Sequence, residues 1–270
     1  MSKSPLHDFL VVTPKVENHL HIEGTLEPSM LFRFVNWNNV ILRSDPEWVS
    51  PDILKARYGK FDSLDDFIHY CYPSASVLVI SADFKELAWA YFVKAVDMQI
   101  RHIEVSFDPH MHMVRGVKYG VVVDGLIPAK RRETNELNLT IEYITCIHRH
   151  LPIGNLTNQP IRGMGLVLSE KRRAEQGTLL TLCPWSNVAL NLLPRLSVAP
   201  ARTFLDAGMR LNLNSDDPAY TGCYLPDVYF RAQETFNLTF AESWIEEKRT
   251  LLLQEFRDIL NSKEFHAPMH

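Results

Sequence analysis

The residues best suited to chemistry are two histidines one residue apart and a doubled aspartate near the far end. The histidines stand in Pro14-Lys15-Val16-Glu17-Asn18-His19-Leu20-His21-Ile22-Glu23-Gly24, the aspartates in Asn214-Ser215-Asp216-Asp217-Pro218. On a strand, side chains alternate between faces, so His19 and His21 point to one side and Leu20 and Ile22 to the other. A carboxylate at the end of a second strand, such as Asp216, can meet both imidazoles there. Imidazole plus carboxylate is a donor set for zinc. Two histidines at this spacing are also an ordinary strand pair, so the metal reading rests on what surrounds them.

Such groups need strands that end together, and the chain reads as alternating strands and helices. The first strand carries Leu20 and Ile22 and ends near Gly24. Ser81 is placed to cap a helix with an apolar face of Phe84, Leu87, Ala88, Tyr91 and Ala95. Arg101 to Pro109 alternates with period two and reads as a strand. Lys130–Glu136 closes a helix, and strands are expected from Leu139 to Ile147, at Gly163–Ser169, at Leu179–Pro184 and at Met209–Asn214. Lys171–Gln176 is a stub of helix. Ser243 with Glu246 makes a capping box for a last helix with Ile245, Leu252, Phe256, Ile259 and Leu260 on one side. Strand, helix and strand repeated in this way imply a parallel sheet, of which a barrel is the closed form.

Composition removes several functional classes. The 270 residues are 46% hydrophobic and 22% charged with a net charge of −4, which gives no electrostatic footprint for nucleic acid. No apolar run approaches a membrane span. The N-terminus lacks the core of a signal peptide, so a cytoplasmic protein, or one also found in the nucleus, is expected. Cys71, Cys146, Cys183 and Cys223 are widely spaced and read as buried, reduced thiols. Gly163-Met164-Gly165 lacks the third glycine of a dinucleotide loop, and no Gly-x-Ser-x-Gly elbow occurs.

Lys15-x-Glu17-x-His19-Leu20-His21-Ile22-Glu23-Gly24-Thr25-Leu26-Glu27-Pro28 and Ser215-Asp216-Asp217-Pro218-Ala219-Tyr220 resemble the adenosine/adenine deaminase family. So, in order, do Phe61–Phe67, Arg101–Pro109, Arg149-His150-Leu151, Gly163–Glu170, Leu182-Cys183-Pro184-Trp185-Ser186-Asn187 and Ser243–Arg249. The resemblance implies an α/β fold, a (β/α) TIM-type barrel of the amidohydrolase kind, spanning one domain over 1–270. Glu23, where adenosine deaminases typically carry Asp, points to the adenine branch. The implied reaction is zinc-dependent hydrolysis of adenine to hypoxanthine and ammonia. His19, His21 and Asp216 match three metal ligands of the family. Asp217 matches the acid that contacts the purine ring, and Gly165 a backbone group on the purine's edge.

Two family motifs are missing: His-Ala-Gly-Glu, which supplies a fourth ligand and the proton shuttle, and Asp-His-Gly, which orients the hydroxide. The family places three strands in the roughly thirty residues between Ile147 and Leu179, and only Gly163–Ser169 reads as one. Two βα units are therefore expected to be absent, leaving an incomplete barrel of marginal stability. With the catalytic Glu and two His gone, no catalytic residue is assigned, and zinc is expected to be weak or absent. His102, His112 and His150 read as supporting residues, and His110 as an exposed loop residue. The alternatives are a catalytically inactive binding protein, self-associating or paired with an intact paralogue, or a coding sequence from which a segment has been left out. A purine base is the expected ligand.

Overall fold

The computed structural model describes residues 7–137, 139–146 and 179–238. Its strands are β1 (Lys15–His21), β2 (Ile100–Phe107), β3 (Thr140–Thr145), β4 (Leu179–Leu182) and β5 (Arg210–Leu213). β1 pairs with β2, β2 with β3 and β4 with β5, every pair parallel. Beyond the end of β5, Leu20 and Asp216 form a parallel bridge. There the His21 N–H donates to the Asp216 carbonyl at 3.0 Å, and the Asp216 N–H to the His19 carbonyl at 3.2 Å. The lateral order is thus β4-β5-β1-β2-β3, with the last described strand beside the first.

Parallel strands covered on both faces bury nearly continuous apolar runs. Ile100, Ile103, Val105 and Phe107 of β2 are all buried, as is Leu20 of β1. The helix Ser81–Asp97 buries Phe84, Leu87, Ala88, Tyr91 and Ala95, the face expected from spacing. Its cap differs from expectation. Ile80 occupies the cap, and the Asp83 carboxylate reaches back to the N–H groups of Val79 and Ile80 at 2.8 and 2.9 Å. A carboxylate that satisfies two unpaired donors displaces a serine hydroxyl that could satisfy one. Against this helix lies the helix Tyr119–Glu136, which includes the charged stretch expected to close it. Gly125 allows the approach, since a Cβ there would sit 2.4 Å from the Ser81 carbonyl oxygen.

Strand ends fall within a few residues of those expected. His110 is a correction. Pro109 opens a short helix, Pro109–Met113, that turns the chain inward over the end of β2, and His110 is buried with His112. All four cysteines are free; Cys71 and Cys223 are buried, whereas Cys146 and Cys183 are only partly so. His150, Gly163–Ser169 with Gly165, Lys171–Gln176 and the helix expected from Ser243 lie outside the described residues. Among the described residues no helix is long and apolar enough to cross a membrane.

Candidate metal centre

The strand ends meet through a buried polar clamp. The Asn214 side-chain oxygen accepts from the N–H groups of Asn18 and His19 at 2.7 and 3.1 Å. The Ser215 N–H donates to Glu17 Oε1 at 3.1 Å, and the Ser215 and Tyr91 hydroxyls donate to the same fully buried carboxylate. Burial raises the Glu17 pKa, and these hydrogen bonds only partly offset it. Asp216 follows at φ +66°, a left-handed conformation that costs an L-residue about 1–2 kcal/mol and that Asp tolerates better than most. That turn aims its carboxylate at β1.

The alternation of β1 works as the sequence implies. Leu20 is fully buried, while His19 and His21 share the other face with ring centroids 5.5 Å apart. His19 Nε2 lies 3.3 Å and His21 Nε2 3.7 Å from Asp216 Oδ1. The opposite ring nitrogens are also engaged: His19 Nδ1 is 3.2 Å from the Thr181 hydroxyl, and His21 Nδ1 is 3.6 Å from Asp108 Oδ2. Asp216 Oδ2 accepts from the Ser186 hydroxyl at 2.7 Å. Each of these side chains is held from its far side, as ligands are in protein metal sites generally.

The charges are arranged for a cation. Burial alone would depress the His21 imidazole, but a hydrogen bond to Asp108 and the charges of Asp217, Asp216 and Asp108 hold its pKa well above the usual range. Burial would raise Asp216; the His19 contact, the charges of His21 and His19, and Ser186 together keep it lowered. Asp217 behaves in the opposite way. Burial first, then the adjacent Asp216 charge, push its pKa well up, which favours a protonated carboxyl. Asp217 packs so closely on Gly24 that a Cβ there would sit 2.1 Å from its Oδ1. Glu23 is buried too. Its Oε1 accepts from the Asp108 N–H at 3.1 Å and meets His112 Nε2 at 2.9 Å.

One donor was not anticipated. Cys183, where β4 gives way to the helix Pro184–Ala189, joins His19 and Asp216, their potential ligand atoms lying within 4.8 Å of one another. From the sequence it reads as one of four buried, reduced thiols. Its position at the C-terminal end of a strand, where barrel sites gather, was the signal available. Two imidazoles, a carboxylate and a thiol fit a zinc ion in donor chemistry. Among the described residues the fold therefore brings together His19, His21 and Asp216, with Asp217 adjacent and Gly165 outside the described region.

Comparison with known proteins defines the class. The family profile for adenosine deaminase matches residues 14–162 and 168–249, and this chain belongs to that family. Within it, the chain is 40% identical to an adenine deaminase of Gibberella zeae, over 96% of this chain and 98% of the relative. It is 30% identical to an adenine deaminase of Saccharomyces cerevisiae, over 88% and 89%. Among solved structures it resembles an adenine deaminase from Arthrobacter aurescens, with TM-score 0.76 and 22% identity over 92% of this chain and 99% of that one. An amidohydrolase from Burkhoderia ambifaria with bound Zn gives TM-score 0.72 and 15% identity over 96% and 95%. The architecture is thus the α/β barrel of the amidohydrolase kind, and the chain is adenine deaminase-like.

Proposed function

We propose that this chain keeps the purine- and metal-recognition half of an adenine deaminase and has lost the hydrolytic half. The observation that carries this is the absence, anywhere in the 270 residues, of His-Ala-Gly-Glu and Asp-His-Gly. The alignment with the Gibberella zeae relative supports it: it runs over 345 positions, more than the whole chain contains. Two βα units between Ile147 and Leu179 are the missing part, and 1–270 is a single shortened domain.

In this reading His19, His21 and Asp216 hold zinc, which when bound lowers the pKa of its water to about 7. Asp217, whose carboxyl burial pushes toward the protonated form, donates a hydrogen bond to a ring nitrogen of the purine, and Gly165 contributes a backbone group at the purine's edge. Among the described residues, none takes the place of the Glu that moves the proton. A general acid/base contributes roughly 10²–10⁴-fold, so the chain binds adenine without turning it over. The protein works in the cytoplasm or nucleus as a purine-binding partner, either self-associating along the shortened sheet or paired with an intact paralogue.

The test is ammonia release from adenine and from adenosine in the presence of zinc. The expected rate equals that of buffer. Zinc-dependent release that is abolished by His21→Ala would overturn the proposal. A second reading, that a coding segment has been left out, is favoured by the same excess of aligned positions. It predicts that sequencing the transcript across Pro152–Leu179 reveals inserted codons for His-Ala-Gly-Glu.

A further inference from the structure

The lost His-Ala-Gly-Glu motif would leave zinc with three protein ligands from the family set. We infer that Cys183 takes the place of the missing histidine as a metal ligand, joining His19 and Asp216. This inference rests on the reading of His19, His21 and Asp216 as ligands, and extends it by one donor.

The geometry carries it. Cys183 comes from β4, beside β5, and its sulfur lies within 4.8 Å of the ligand atoms of both His19 and Asp216. Residues on either side of it already serve the same centre. Thr181 contacts His19 Nδ1 at 3.2 Å, and Ser186 donates to Asp216 Oδ2 at 2.7 Å. The segment that delivers the thiol is therefore fixed at both ends against two other donors. Zinc accepts thiolate, imidazole and carboxylate together. On binding, the S–H bond breaks, its proton passes to solvent and a sulfur–metal bond forms, so no oxidant or reductant is needed.

The experiment uses the full chain titrated with cobalt(II), whose thiolate charge-transfer absorption reports sulfur ligation directly. The expected result is a stoichiometric complex showing that absorption. Cys183→Ser should abolish it and weaken binding by more than the roughly 10–100-fold typical of losing an outer partner. As a check that does not depend on a variant's folding, zinc should protect Cys183, but not Cys146, from alkylation in the native protein, read by peptide mass. A complex without thiolate absorption, with Cys183 alkylated equally with and without zinc, overturns the inference and leaves the three-ligand site standing. Failure of the native chain to bind cobalt at all overturns both, so the two failures are distinct.

Discussion

The two ends of β1 place cation-forming side chains in opposite settings. At the start of the strand Lys15 is buried, with its ammonium donating to the Thr13 carbonyl at 2.8 Å. Burial, aided by the nearby Arg101 charge, lowers its pKa to about 7. Six residues further, about 20 Å along an extended strand, His21 is only partly buried and faces Asp108, Asp217 and Asp216, and its pKa rises. Burial acts in the same direction at both ends, lowering each pKa, so it does not explain why that of His21 rises. The carboxylates collected by the C-terminal strand ends do: they favour positive charge at one end of the strand, while at the other it is only tolerated.

The largest expected effect comes from removing the carboxylate both imidazoles face. Asp216→Asn keeps a residue type tolerated at positive φ but should lower cobalt affinity by at least about 100-fold, more than an outer partner would cost. NMR titration should also show the His21 imidazole falling toward its ordinary range. A His21 pKa that stays high would mean that Asp216 is not what distinguishes this end of the strand.

Lys15 tests the opposite end. Its folded pKa lies below the unfolded value near 10.4, so between pH 7 and 10 the unfolded state holds more protons and stability rises with pH. Below pH 7 the penalty is fully present. Lys15→Met removes the penalty and should stabilise the protein at pH 7 by an amount on the order of 1–4 kcal/mol. The advantage should shrink as the pH approaches 10. Chemical denaturation of both proteins across that range measures it, and a constant difference would show that Lys15 does not titrate with folding.

The smallest effect expected is at Ser186. Ser186→Ala should cost about 1 kcal/mol of stability and about tenfold in metal affinity, because Asp216 Oδ2 loses its donor. Differential scanning fluorimetry and the cobalt titration read the two separately. A change in stability with unaltered affinity would place Ser186 in the fold alone.

Much of this was legible in the chain. Alternation at His19, Leu20 and His21 gave both the strand and the shared face, and the helix face from Phe84 to Ala95 followed from spacing alone. His110 was misread because a proline after a strand suggests a loop, and only packing shows that it starts a helix turned inward. Ser81 was misread as a cap because the propensity of serine is visible in sequence, whereas the competing reach of Asp83 is a matter of geometry.

The sequence by itself determined which donors exist, that His19 and His21 share one face, and that His-Ala-Gly-Glu and Asp-His-Gly do not occur among its 270 residues. Those are properties of residue type and local period, which need no partner. The tertiary structure decided that Cys183 stands with His19 and Asp216, that burial beside Asp216 pushes the Asp217 carboxyl pKa well up, and that burial lowers the Lys15 pKa to about 7. Each depends on which strand lies beside which. The Asn214 side chain that holds the His19 N–H is 195 residues away in the chain, and no local pattern encodes a pairing at that separation.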